Sequence, residues 1–179
     1  MRQTKLAITF AAVLLASETA QAETQPYAGQ DQRAIASLSE QDIEALLAGR
    51  GWGFAKAAEL NGYPGPSHVL DLAPDLGLSD DQRAQVQAVF DAMQAEARVL
   101  GAEYVAAEAA LDRGFAEGVI DAETLTDLTA DAARIEAQLR AVHLAAHLET
   151  APILTRHQTM LYNQARGYGD AGHGQHDGH

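Results

Sequence analysis

The sequence predicts an all-α protein built on a helical hairpin, with two long antiparallel helices among about four. Two amphipathic runs lie between Leu78 and Gln158, separated by one short break. No segment shows the alternation of apolar and polar residues that is typical of a strand. Aromatic residues make up only 6% of the chain, which favours slender helices packed through small side chains. A chain of 179 residues is long enough for one domain with a modest core.

Residues 1–22 are predicted to be a cleaved signal peptide. Arg2 and Lys5 give it a basic start, residues 6–16 are apolar, and Ala20-Gln21-Ala22 is a small-x-small cleavage site. The apolar run is short for a membrane span. We therefore expect export, with a bacterial periplasm as the compartment; a retained N-terminal anchor is the alternative.

The segments before the long helices are expected to be short and irregular. Residues 23–36 are interpreted as a flexible leader, and residues 37–166 as the helical domain. Ser39 is expected to cap a first short helix, and a second is predicted from the Gly-Trp-Gly-Phe sequence at 51–54 to about Leu60. Trp52 and Phe54 are expected to anchor this part on the hairpin. One or two helical turns are predicted over 67–76. The first short helix is expected to carry three apolar residues, Ile43, Leu46 and Leu47.

The first long helix is predicted from Ser79 to Glu117. Ser79 is a suitable N-cap, and Gln82 three residues later completes the pattern of a capping box. Gly118 suits the end of the helix. The expected buried stripe recurs every three or four residues: Val86, Phe90, Met93, Ala97, Leu100, Tyr104, Ala107, Leu111 and Phe115.

The second long helix is predicted to start at Asp121 and to be interrupted by Pro152, which lacks a backbone donor. Thr155 is then expected to cap a final helix over about 156–166, with Met160 and Leu161 turned inward. The expected stripe of the second long helix is Leu125, Leu128, Ala132, Ile135, Leu139, Val142 and Ala146. Residues 167–179, rich in glycine and histidine, are predicted to be a disordered tail.

Composition disfavours several classes of function. The formal net charge of −13 and the lack of clustered Lys and Arg argue against binding to nucleic acid or anionic lipid. The chain has no cysteine, so disulfides, thiolate metal sites and cysteine nucleophiles are impossible. Neither a glycine-rich phosphate loop after a strand nor a serine nucleophile elbow occurs. We therefore expect a protein that acts by binding and is not an enzyme.

Two similar pentapeptides bracket the predicted hairpin: Leu78-Ser79-Asp80-Asp81-Gln82 and Leu154-Thr155-Arg156-His157-Gln158. With the signal peptide and the helical pattern, they resemble the LTxxQ motifs of the Spy/CpxP family, over about residues 66–166. That family includes periplasmic chaperones, stress-response regulators and heavy-metal-binding relatives. The matching motif positions are Leu78, Ser79, Gln82, Leu154, Thr155 and Gln158, and we interpret them as structural.

The resemblance implies a hooked hairpin that pairs into a curved homodimer. It also implies a function in envelope stress, either as an ATP-independent chaperone of unfolded envelope proteins or as a regulatory adaptor of a membrane-bound sensor kinase. One departure matters: the chaperones of the family are expected to present a cationic concave surface, whereas this chain is strongly acidic. This departure raises the weight of the alternative function, heavy-metal sensing or resistance.

His143 and His147 are candidate metal ligands because residues four apart project from one face of a helix. Both lie beside the apolar stripe and are expected to be accessible. Glu136 is a candidate carboxylate ligand or an ion-pair partner of Arg140, and His68 would be a third histidine if its segment folds back. Surface histidines, or histidines packed against a dimer mate, are the alternative, since zinc requires four ligands.

The tail offers a second candidate metal site. His173, His176 and His179 are regularly spaced, with carboxylates nearby, and such ligands suit Zn, Ni, Co or Cu. Ordering a flexible tail costs entropy, so weak capture is expected. An inert polar tail is the alternative. The sequence predicts no obligatory cofactor. His157 is expected to be exposed on the first turn of the last helix.

Overall fold

The computed structural model describes residues 25–168, and this range is all-helical, as the sequence predicts. An isolated bridge between Ile35 and Leu38 is its only β-type pairing. Two 3-10 turns occupy Gln30–Gln32 and Ala151–Ile153. The α-helices of the described range are α1 (Glu40–Leu47), α2 (Lys56–Glu59), α3 (Pro66–Asp71), α4 (Ala73–Leu76), α5 (Asp80–Ala116), α6 (Ala122–Thr150) and α7 (Arg156–Ala165). The predicted signal peptide and the tail histidines His173, His176 and His179 lie outside the described residues.

The two long helices are α5, with 37 residues, and α6, with 29. At 1.5 Å per residue, they extend about 55 and 43 Å. Ser79 caps α5 through a full capping box with Gln82, and Gly118, at φ 65°, takes the left-handed conformation after its end. The Asp121 carboxylate accepts the backbone N–H of Thr124 at 2.8 Å and starts α6. Local capping thus sets the helix boundaries close to the predicted positions.

The long helices pack against each other through one core cluster. Small and large side chains alternate in it, with Ala97, Tyr104 and Ala107 from α5 meeting Ala132, Ile135 and Leu139 from α6. Residues 89–96 of α5 line the same surface depression as residues 141–149 of α6, so the start of one helix lies beside the end of the other. The predicted stripes are wrong at Phe115 and Leu125, which are 59% and 37% exposed. Both lie next to the connection between the helices, beyond the buried part of each stripe.

The short N-terminal segments pack on this pair of helices. At Gly101, in the middle of α5, the backbone of Leu46 approaches so closely that a Cβ would overlap it. Ile35 is 6% exposed and belongs to the main core cluster, so the predicted flexible leader is wrong at its end. The backbone N–H of Ala36 donates to Asp112 at 3.1 Å, which fixes the same stretch. Of the apolar residues at the end of α1, Leu46 is buried, whereas Leu47 is 47% exposed.

A second cluster joins α3, α4 and α7 to the start of α5. Its buried members are Val69, Leu76, Val86, Leu154 and Tyr162. The interruption predicted at Pro152 is present, since α6 ends at Thr150 and Pro152 lies in the 3-10 turn.

The final helix begins at Arg156, as predicted, but the expected inward position of Met160 is wrong. Met160 is 55% exposed, whereas Tyr162 is fully buried. Gln158 and Tyr162, four residues apart, form the inward face of α7, and this spacing turns Met160 to the outside. His157 is exposed, as expected.

None of the helices in residues 25–168 carries an apolar run of the length that a membrane crossing requires.

Candidate binding site

The two pentapeptide motifs meet in space and are joined by their glutamines. The Gln82 side-chain amide donates to Oε1 of Gln158 at 2.9 Å, and the Gln158 amide donates to Oε1 of Gln82 at 3.0 Å. Each Oε1 also accepts the backbone N–H of its own N-cap residue, Ser79 at 3.1 Å or Thr155 at 2.9 Å. We call this arrangement the glutamine pair. It ties the start of α5 to the start of α7 across 76 residues of sequence.

A cavity of about 560 Å³ lies elsewhere, between the N-terminal segment and the long helices. Its wall is formed by the glycine-rich stretch 49–53, α2, the start of α3, and side chains from the facing parts of α5 and α6. The apolar members are Trp52, Ala55, Pro66, Phe90 and Met93. We call this space the inter-segment cavity. Its size lies in the range of small-molecule sites in proteins.

His143 is one of the residues that line the inter-segment cavity, but it is not accessible as predicted. The side chain is 2% exposed and stacks on Phe54, with ring centroids 5.8 Å apart and planes inclined by 20°. The expectation of an accessible histidine is therefore wrong, because the Gly-Trp-Gly-Phe segment covers this face of α6. Burial, and next the proximity of His147, lower the pKa of His143. Its buried Nε2 has no hydrogen-bond partner among the described residues.

His147 is also buried, at 7% exposure, so the prediction that this histidine is accessible is wrong as well. Its Nδ1 lies 2.7 Å from the carbonyl oxygen of Tyr63, so Nδ1 carries the hydrogen and donates. Gly65 packs against the Cε1–Nε2 edge of the ring, where a Cβ would lie 2.9 Å from Nε2. The imidazole is thus held between the chain before α3 and the helix that carries it.

Glu59 is the buried acid of the cavity wall, and sequence reasoning missed it. One carboxylate oxygen, Oε1, accepts the Tyr162 hydroxyl at 2.7 Å and Nε of Arg166 at 3.1 Å. The other, Oε2, is buried without a hydrogen bond and lies 3.8 Å from Nδ1 of His147. Burial, followed by the hydrogen bond to Glu59, raises the pKa of Tyr162, which stays protonated as a donor.

His68 lines the same cavity as His143 and His147, so its segment does fold back toward them. Its Nδ1 lies 3.8 Å from a carboxylate oxygen of Asp71; the His68 side chain is about half-buried and that of Asp71 is exposed. Glu136 is not part of the cavity wall; it lies near Tyr104, where its charge helps to raise the pKa of that phenol after burial and Glu108. Within residues 25–168, no group of three or more His, Asp or Glu side chains is arranged to hold one metal ion.

Trp52, the only tryptophan of the chain, forms part of the cavity rim. Its indole Nε1–H donates to Asp42 at 2.7 Å, and its ring lies 5.3 Å from Phe54 in an edge-to-face arrangement. The predicted anchoring role is confirmed for Phe54, which is 7% exposed within the main core cluster, whereas Trp52 is 36% exposed and lies outside that cluster. No pattern in the sequence indicates that the same segment encloses a cavity.

The charges around the inter-segment cavity differ in sign from those of the whole chain. Three basic side chains line it, Arg50, Lys56 and Arg166, whereas Glu59 is the only acidic residue of the wall. Arg50 is paired with the exposed Glu44 at 3.0 Å, and Arg166 with Glu59, whereas Lys56 forms no ion pair within the described residues. The charged side chains of the cavity wall are thus mostly basic, on a protein with a formal net charge of −13.

Comparison with known proteins returned no match, whether to a family model, to a curated protein or to a solved structure.

Proposed function

We propose that the chain is an exported, periplasmic protein of the Spy/CpxP type that protects the envelope under stress by binding, as an ATP-independent chaperone. The glutamine pair is the observation that carries this proposal. If a short motif occurred twice in a chain by chance, its two copies would not be expected to lie in contact. Here the two copies are in contact and exchange equivalent hydrogen bonds. The duplicated motif thus acts as one structural unit, as expected of a hooked hairpin.

Exposed apolar side chains supply the contact surface that a chaperone needs. A binding surface for unfolded chains must offer apolar area while the protein itself stays soluble, and the high negative charge favours solubility. Large apolar side chains at least 59% exposed on the long helices are Val99, Phe115 and Leu148. The same side chains would be covered in part if the chain forms the homodimer that we propose with this function.

The proposal is tested by aggregation of a disulfide-bonded client protein that precipitates on reduction. The reductant leaves this chain unchanged, because it has no cysteine. We expect residues 23–179 to suppress light scattering at near-equimolar ratio. The triple variant Val99→Ser/Phe115→Ser/Leu148→Ser should lose most of that suppression.

The matched control removes the same number of exposed apolar side chains from the short segments, as Leu47→Ser/Leu60→Ser/Met160→Ser. This variant should suppress aggregation like the unmodified chain. No suppression by the unmodified chain would refute the chaperone function and favour a regulatory adaptor that docks on a membrane sensor. Sedimentation equilibrium of the same proteins tests the homodimer, which a purely monomeric chain would exclude.

Metal sensing or resistance is the second candidate function, and one observation favours it. His147 donates from Nδ1 to a backbone carbonyl, which leaves Nε2 as a ligand atom in the tautomer that metal sites commonly use. His68, His143 and His147 line one cavity, so a rotation of side chains would be needed to bring them onto one ion.

Calorimetric titration with Zn, Ni, Co and Cu separates the two candidate metal sites. Binding that is lost in His143→Gln/His147→Gln would place the metal in the cavity, and binding that is lost only in a chain ending at Gly169 would place it on the tail. Circular dichroism of the double variant controls for loss of folding. The absence of any heat of binding would refute the metal function.

A further inference from the structure

We propose that the inter-segment cavity is a binding site for a small organic anion with a compact apolar body, such as an alicyclic or aromatic carboxylate. This proposal goes beyond chaperoning and metal binding, because it assigns a specific ligand class to a preformed site. It rests on the wall of the cavity, its charges and its unused polar atoms.

The wall of the cavity favours an apolar body. Trp52, Phe90 and Met93 face the space from two separate parts of the chain, and Pro66 closes it from the start of α3. Small-molecule sites generally combine such apolar walls with a few polar groups that fix orientation. A volume of about 560 Å³ holds a ligand of one to three fused rings together with water.

The charges favour an anionic head group. Lys56 is exposed and has no ion-pair partner within residues 25–168, and Arg50 also lines the cavity, with only an exposed partner, Glu44. The one carboxylate of the wall, Glu59, already accepts hydrogen bonds from Tyr162 and Arg166. A ligand carboxylate near Lys56 and Arg50 would therefore meet cations, and a ligand cation would meet their repulsion.

The floor of the cavity has hydrogen-bonding capacity that the protein does not use. Three buried side-chain polar atoms within residues 25–168 lack a partner, and two of them belong to residues of this wall. Nε2 of His143 can donate to a ligand carboxylate when it carries the ring hydrogen, whereas Oε2 of Glu59 only accepts, so the ligand carboxylate is expected to lie away from it. Buried polar atoms are normally paired, so each unpaired one calls for an explanation, and a functional role is one of them. The third, Oδ1 of Asn163, belongs to a different depression near α7.

The floor is also held in place before any ligand binds. Gly65 contacts the His147 ring, and the Tyr63 carbonyl accepts from its Nδ1, so this imidazole has little freedom. Phe54 stacks on His143. A pre-organised site binds with less loss of conformational entropy.

Titration of Trp52 fluorescence with three probes of equal shape and different charge tests the proposal. The probes are adamantane-1-carboxylate, adamantane-1-methanol and adamantane-1-methylammonium, which do not absorb where tryptophan is excited. Because Trp52 is the only tryptophan and lines the rim, its signal reports this cavity. Residues 23–179 are used with EDTA, so that a bound metal does not mediate the response.

We expect the carboxylate to give a saturable change with a Kd below about 1 mM, and the ammonium probe to give none in that range. Arg50→Gln/Lys56→Gln should weaken carboxylate binding about tenfold, as expected for two partly exposed charges. The control Arg83→Gln/Arg113→Gln removes the same charge from exposed positions on α5 outside the cavity and should change Kd by less than about twofold.

Three results would overturn the proposal. They are the absence of carboxylate binding below about 1 mM, equal binding of all three probes, or equal weakening by the cavity variant and its control. None of these results bears on aggregation suppression, so failure here is distinct from failure of the chaperone function.

Discussion

Gly101 offers the sharpest test of how the N-terminal segment packs on the long helices. In the middle of a helix, replacing glycine by alanine normally stabilises the folded state by about 0.5–1 kcal/mol. At Gly101 the new Cβ would overlap the carbonyl oxygen of Leu46 and lie 2.8 Å from its carbonyl carbon. These are backbone atoms at the end of α1, which yield only if the whole segment moves.

The two contributions can be weighed. Overpacking a well-packed site costs about 1–3 kcal/mol, and here the obstacle is backbone rather than a flexible side chain, so the upper part of that range applies. Subtracting the helix-propensity gain of up to about 1 kcal/mol leaves Gly101→Ala destabilised by about 1–2 kcal/mol. Gly101→Ala is therefore expected to destabilise the protein, whereas the same substitution in an isolated helix is stabilising.

Gly114 is the matched control in the same helix. Its Cβ would make ordinary contact with the Ile120 side chain at 3.5 Å, and its φ is not positive. Gly114→Ala should therefore stabilise the protein by up to about 1 kcal/mol. Urea unfolding followed by circular dichroism at 222 nm measures both variants. Stabilisation of both by the same amount would refute the docking of α1 on α5 at this point.

Three further predictions concern the glutamine pair, a buried histidine and a helix cap. Gln82→Ala and Gln158→Ala should each cost about 1–2 kcal/mol of unfolding free energy, and the double variant less than their sum, because either single variant already breaks both hydrogen bonds between the two side chains. Lowering the pH from 7.5 to 5.5 should destabilise the protein. The pKa of His143 is lowered in the folded state, so protonation at low pH favours the unfolded state. The free energy of unfolding is therefore highest above the ordinary pKa of 6.5 and decreases as the pH falls below it. His143→Phe should flatten this part of the curve of unfolding free energy against pH. Asp121→Ala should cost about 1 kcal/mol, because the first turn of α6 loses its cap.

Each of these predictions has an exposed counterpart as control. Gln87→Ala removes an exposed glutamine of α5, His157→Phe an exposed histidine, and Asp127→Ala an exposed acid of α6; all three should leave urea unfolding nearly unchanged. Additive costs for the two glutamines would contradict their hydrogen-bonded pairing. An unchanged pH slope in His143→Phe would contradict the assignment of the acid sensitivity to His143.

The helices were predictable because their boundaries depend on neighbours in sequence. Ser39, Ser79 and Thr155 each accept the backbone N–H three residues on, and all three belong to a capping box. Spacing alone also predicted that His143 and His147 share a face. These are local relations, which a single sequence contains.

The cavity was not predictable because its walls meet across long separations in sequence. His147 contacts Tyr63 across 84 residues, and Glu59 meets Tyr162 across 103. Nothing in the periodicity of α6 indicates that a glycine-rich segment covers the face beside its stripe. Glu59 likewise looks like one more surface acid in an acidic chain until Arg166 and Tyr162 are placed next to it.

The glutamine pair also bears on the order in which the chain folds. Closing a loop of 76 residues in an unstructured chain costs about 4 kcal/mol of entropy, more than a pair of amide hydrogen bonds returns. Once α5 and α6 have packed side by side, the start of α5 already lies near the end of α6. Packing of the core has then offset most of the entropy cost of closing the loop. The pair therefore closes late and opens early, so we expect hydrogen exchange at the start of α7 to begin before the middle of α5 exchanges. In this fold the packing of the long helices brings the two copies of the motif together, and the hydrogen bonds of the glutamine pair then join them.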